Sequence, residues 1–118
     1  FNKNNPKLIL SNERDYKIDE FIKKIKEAKT ERLSSSLKFC KIAEGNANLY
    51  PRLKSISKWD IAAGDAIVRA ASGFVLNIKG DNFNYKTPTT KTGKFFAISS
   101  KCIWNNLIVG ALEGIEDL

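Results

Sequence analysis

Asp60 stands between Trp59 and a run of small residues, Ile61-Ala62-Ala63-Gly64-Asp65-Ala66, and an aspartate at a helix start can coordinate a hard cation through oxygen. The small residues let such a helix approach neighbouring backbone and carry its first turn toward a phosphate. Upstream, Ser34-Ser35-Ser36-Leu37-Lys38 offers hydroxyls and an ammonium, and Arg52 closes Leu49-Tyr50-Pro51-Arg52. Lysine directs a point charge at a phosphate, arginine gives a two-pronged contact and serine adds a neutral donor. Each also has an ordinary use: aspartate and serine cap helices, and charged side chains stay hydrated at a surface. By spacing alone, capping is the stronger reading of Asp60. Asp65 lies more than one turn further on and is expected at the surface rather than as a second ligand.

Composition narrows the chemistry. The 118 residues contain no histidine and carry a formal charge of +7, so any catalysis would rest on carboxylates, lysines, arginines or metals. One globular domain is the expectation at this length and apolar content. Cys40 and Cys102 are too few for a disulfide framework and lack zinc-site spacing, so buried reduced thiols and a cytoplasmic compartment are expected. The longest apolar run, Leu107 to Leu112, is far below the roughly 20 residues that span a bilayer, so no integral membrane segment is expected. A chain that opens on Phe1 and contains no methionine reads as a fragment or a processed product.

The elements that must position these residues follow from periodicity. Lys7 to Ser11 reads as a short strand. Asp15 can cap a helix carrying Ile18, Phe21, Ile22, Ile25 and Ala28 on one face, with Lys17, Lys23, Lys24, Lys26 and Lys29 turned to solvent. The serine triplet introduces a second helix through Leu37, Phe39, Cys40, Ile42 and Ala43, which Gly45 can stop. Ala47 to Leu53 reads as a strand whose Pro51 puts its end at a sheet edge or outside the ladder. A third helix runs from about Asp60 to Ser72 and ends at Gly73. Strands follow at Phe74 to Ile78 and Phe95 to Ser99, around a polar connection. A last helix from Ile103, with Ser100 as cap, docks on the sheet. The alternation predicts an α/β fold: a layered mixed sheet flanked by helices.

The stretch from Trp59 to Gly73 resembles the WDxAAG signature of inositol-monophosphatase-like phosphatases. The segments Ser34 to Cys40, Ala43 to Ala47 and Leu49 to Arg52 look like the branch of that family that acts on 3′-phosphoadenosine 5′-phosphate. The similarity covers nearly the whole chain, as the C-terminal half of that fold. It implies that Asp60 is a metal ligand for magnesium, and that Ser35, Lys38 and Arg52, with Asp60, bind a phosphorylated small molecule, a bisphosphate nucleotide. Two positions depart from the branch pattern: Arg14 stands where it has histidine, and Ser34 where it has glycine. The family's other metal ligands belong to an N-terminal half with no counterpart here. The resemblance therefore implies a phosphatase part that is inactive alone and needs that half in cis or in trans, and uncovered apolar surface would also favour a homo-oligomer. No catalytic group beyond the metal ligand is identified in this half. Inositol monophosphate is the rival substrate, and a basic module that binds nucleic acid without catalysis is the rival class. Against the latter, Phe21, Phe39, Trp59 and Phe95 fall at core positions, not on a stacking platform.

Overall fold

A computed structural model describes residues 5–13, 15–25, 27–33, 37–53, 58–82 and 94–113, with backbone alone for 58–60. Five strands, β1 (Lys7–Ser11), β2 (Lys29–Leu33), β3 (Leu49–Arg52), β4 (Phe74–Asn77) and β5 (Phe95–Ile98), form one sheet in the order β2-β1-β3-β5-β4. The first three are parallel to one another, and β5 runs antiparallel to both β3 and β4. The sheet is thus mixed, as expected, and helices cover both faces.

Alternation along the strands assigns the two faces. Leu8, Leu10, Leu49, Phe96 and Ile98 pack with Ile18 and Phe21 of α1 (Tyr16–Lys23) and with the C-terminal helical segment. Ile9, Tyr50, Phe95 and Ala97 point the other way, onto Phe39 and Ile42 of α2 (Leu37–Ala43) and Ile61 and Val68 of α3 (Lys58–Ala70). Period-two side-chain direction in strands requires this division.

Helix ends follow capping chemistry. Asp15 accepts a hydrogen bond from the Lys17 backbone N–H at 3.0 Å, as expected of an N-cap. At the end of α2, Gly45 has φ +78°, its N–H bonds the carbonyl of Ile42, and the N–H of Asn46 bonds that of Lys41. This is the paired closure that favours glycine in the left-handed position. The end of α3 uses the same closure, but the left-handed residue is Ser72, with φ 67°, not Gly73. Gly73 is required for a different reason: a Cβ there would lie 2.6 Å from the carbonyl oxygen of Ile98.

Four expectations need correction. The first helix ends at Lys23, and Lys29–Leu33 is an edge strand. Its KTERL sequence is charged, as edge strands often are, and therefore lacks an apolar signal. Pro51 lies within the central strand: it pairs with Phe96 of β5, while on the β1 side the register is confined to Leu8 and Leu49, so its missing N–H falls outside that ladder. The C-terminal segment starts as a π-helical turn, Trp104–Ile108, where the Val109 N–H bonds the Trp104 carbonyl, before α4 (Val109–Leu112). No side-chain cap bonds this segment, and the Ser100 hydroxyl lies against Cys102 Sγ. Cys40 and Cys102 are free thiols, but Cys40 is half-buried and Cys102 exposed, rather than both being buried.

Candidate anion-binding site

The β1 to β2 connection runs through α1 over one face, whereas the chain leaves β3 through α3 on the other. Neighbouring parallel strands whose connections depart in opposite directions leave a crevice at their carboxyl ends, the usual ligand position of open α/β sheets. In this chain the crevice lies between the ends of β1 and β3. A pocket there is lined by Ser11, Glu13, Asp15, Arg32 and Arg52, with Leu10, Ile18 and Pro51 beneath them.

Arg52 ends β3 on its rim. The Arg52 Nη2 donates to Glu13 Oε2 at 3.0 Å; the arginine side chain is 15% exposed and the glutamate 56%. The Arg52 Nε is buried and has no hydrogen-bond partner among the described residues. A buried donor without a partner is costly, and this one belongs to a charged group at a ligand crevice. Across the crevice, Arg32 Nη1 donates to the Ser11 carbonyl at 2.6 Å, which fixes a second guanidinium at the end of β1.

Lys38 is buried, with 4% of its surface exposed. Its ammonium donates to the Leu33 carbonyl at the end of β2, at 3.2 Å, and lies 5.3 Å from the centroid of the Tyr50 ring. Burial, and secondly the Arg52 charge, hold its pKa below the ordinary 10.5. Burial raises the Tyr50 pKa to about 12, against the opposing pull of Arg52. The same guanidinium therefore acts on both neighbours, so Lys38 and Arg52 belong to one electrostatic cluster.

Aromatic packing holds that cluster in place. Phe39, next to Lys38, stacks on Phe95 at 5.9 Å and meets Tyr50 edge-on at 5.3 Å, and Tyr50 meets Phe95 edge-on at 5.3 Å. These pairings fix α2 on β3 and β5. Gly64 admits the contact between α2 and α3, because a Cβ there would come within 2.3 Å of the Phe39 ring. Phe21, Phe39 and Phe95 are thus core groups, as their sequence positions imply, while the Trp59 side chain lies outside the described residues.

Of the residues singled out by sequence, Arg52 lines the crevice, and Lys38 lies outside its lining but within electrostatic reach of Arg52. Ser35 and Arg14 lie outside the described residues, and Asp60 is described as the third residue of α3 by its backbone alone. Asp65 is not at the surface: it is 2% exposed and accepts from Arg69 Nε at 2.7 Å, one turn along the helix. Among the described residues, no three histidine, cysteine, aspartate or glutamate side chains converge as metal ligands, so these residues by themselves do not make a magnesium site. Sequence reading missed Glu13 and Arg32. Their available signal was position: each lies at or just beyond the carboxyl end of a parallel strand, but β2 itself was not recognised.

The mixed sheet, helices on both its faces and a crevice at the parallel carboxyl ends that holds Arg32 and Arg52 beside Glu13 and Asp15 define a layered α/β protein. The inositol monophosphatase family profile matches residues 3–112, and the chain belongs to that family. It is 50% identical over 68 residues to the 3′(2′),5′-bisphosphate nucleotidase CysQ of Buchnera aphidicola, a match covering 58% of this chain and 26% of that protein. It is 41% identical over 71 residues to CysQ of Escherichia coli K12, covering 60% and 29% respectively. The crystal structure of CysQ from Bacteroides thetaiotaomicron superposes with a TM-score of 0.71 at 27% identity, over 80% of this chain and 38% of that one. An inositol monophosphatase from Thermotoga maritima shares the fold, with a TM-score of 0.74 at 21% identity over 93% and 41%. The chain thus spans well under half the length of these relatives. Among the described residues, no helix is long and apolar enough to cross a membrane.

Proposed function

We propose that this chain is the substrate-anchoring C-terminal part of a magnesium-dependent phosphomonoesterase that converts 3′-phosphoadenosine 5′-phosphate to AMP and phosphate. The observation that carries the reading is the buried Arg52 Nε at the crevice, without a hydrogen-bond partner among the described residues, with Lys38 within electrostatic reach. The similarity to CysQ proteins supports the nucleotide over inositol monophosphate.

In this reading Arg52 and Lys38 hold the phosphate that is not cleaved, and Ser35 adds a neutral donor. Fixing that group orients the scissile ester, which lowers the entropic part of the barrier. Asp60 is assigned one ligand position for magnesium, with the remaining ligands on an N-terminal half supplied in cis or in trans. The cytoplasm is the assigned compartment.

Magnesium-dependent phosphate release from 3′-phosphoadenosine 5′-phosphate tests the proposal, with the chain alone and mixed with the N-terminal half of a CysQ relative. Turnover is expected in the mixture, with inositol monophosphate a poorer substrate. Asp60→Ala should abolish it, and Arg52→Gln should raise KM. Turnover by the chain alone would refute the need for the second half. Preference for inositol monophosphate would refute the nucleotide assignment. Salt-sensitive binding to nucleic acid without hydrolysis would favour the noncatalytic module.

A further inference from the structure

The Nε–H and Nη2–H of arginine lie along one edge of the guanidinium, spaced to bind two oxygens of one phosphate. On Arg52 this edge is half used: Glu13 Oε2 takes Nη2 at 3.0 Å, and the buried Nε has no partner among the described residues. Arg52 lines the crevice to which Ser11, Glu13 and Arg32 also contribute. Glu13 comes from the segment after β1 and its side chain is 56% exposed, so it can turn into solvent without opening the core. An oxyanion approaching Arg52 meets the Glu13 carboxylate as a like charge and as a competitor for the same nitrogen.

We infer that Glu13 is a displaceable internal stand-in for the phosphate: it occupies Arg52 in the empty crevice and must swing away when a phosphate group takes the Nε–Nη2 edge. Glu13 thereby sets the threshold for anion binding. It admits a ligand whose two oxygens satisfy both nitrogens and disfavours one that can replace only the carboxylate contact. The inference rests on Arg52 being the phosphate anchor of the proposed function. Removing the competitor and its like-charge repulsion should tighten phosphate binding by roughly 3- to 10-fold.

The test is titration of the 118-residue chain with inorganic phosphate, followed by calorimetry and by the Arg52 side-chain Nε–Hε resonance, for wild type, Glu13→Gln, Arg52→Gln and the double variant. Glu13→Gln should bind phosphate several-fold more tightly, with the Nε–Hε signal moving downfield at saturation. The gain should vanish in the Arg52→Gln background. Unchanged or weaker binding by Glu13→Gln would overturn the inference, and so would a gain that persists without Arg52, or phosphate binding absent from both wild type and Glu13→Gln. A parallel titration with 3′-phosphoadenosine 5′-phosphate separates the two readings. If the nucleotide binds no better than phosphate while the Glu13→Gln gain holds, the stand-in is upheld and the nucleotide assignment fails.

Discussion

Lys38 and Tyr50 share one buried environment yet respond to it with opposite signs. Burial disfavours the charged form of each, so the lysine pKa falls and the tyrosine pKa rises. For Tyr50 the folded value of about 12 exceeds the ordinary 10. Its contribution to stability is therefore complete below pH 10 and is lost as pH rises from 10 to about 12, where the unfolded chain releases its proton first. Two units correspond to about 2–3 kcal/mol. Urea unfolding at stepped pH should show this loss in the wild type, and Tyr50→Phe should abolish that component. For Lys38 the sign reverses: its contribution is present above 10.5 and lost as pH falls through its lowered folded value. A phosphate beside the ammonium would raise that value again, so at alkaline pH, where the free-state Lys38 is partly deprotonated, phosphate binding should be accompanied by proton uptake, measurable as a dependence of the binding heat on buffer ionisation enthalpy. Lys38→Met keeps the length and apolar stem but removes the charge. A hydrogen bond to a charged group contributes about 1.5–3 kcal/mol, so that variant should bind phosphate roughly 10- to 100-fold more weakly, read by calorimetry.

The elements convert sequence into site geometry through a few close contacts. Gly64 lets α3 approach the Phe39 ring, and Phe39 adjoins Lys38, so spacing between the two helices also governs where the ammonium sits. Gly64→Ala should destabilise the fold by about 1–3 kcal/mol through overpacking and weaken phosphate binding with it, as urea midpoints and calorimetry would register. Ser72 is a contrasting case. Its φ of 67° penalises a Cβ, so Ser72→Gly should stabilise by up to about 1 kcal/mol with no effect on anion binding. Much of this layer was legible in the sequence, because Lys7 to Ser11, the Asp15 cap, the Gly45 stop and the α3 periodicity are local signals. The KTERL edge strand was not: its charged residues serve an edge, and only pairing with β1 makes it a strand. The crevice was likewise unreadable as a place. Lys38 and Arg52 were identifiable by type and by resemblance, whereas Glu13 and Arg32 became relevant only once the parallel order β2-β1-β3 brought the strand ends together.

At the scale of the whole molecule, anion binding and folding must be coupled, since the crevice exists only when β1, β2, β3 and α1 are assembled. A ligand that binds only the native state stabilises it by RT ln(1 + [L]/Kd), which is about 1.4 kcal/mol at ten times Kd. For a domain of this size that should raise Tm by several degrees. The formal charge of +7 supplies a rival source of stabilisation, because any polyanion relieves self-repulsion without recognising a site. The two mechanisms separate by their dependence on residue and on salt. Site binding should lose its Tm shift in Arg52→Gln and fall only modestly with added chloride, since Arg52 and Lys38 are largely buried and buried charges are weakly screened. Diffuse binding should survive Arg52→Gln with little change and collapse steeply as salt rises, because it depends on counterion release. Thermal unfolding of wild type and Arg52→Gln with phosphate, and with a short single-stranded oligonucleotide, across a chloride series reads both quantities at once. A phosphate shift that requires Arg52 and persists at physiological salt is the expected outcome, whereas an equal shift in both proteins that disappears with salt would assign the basic charge to general polyanion attraction.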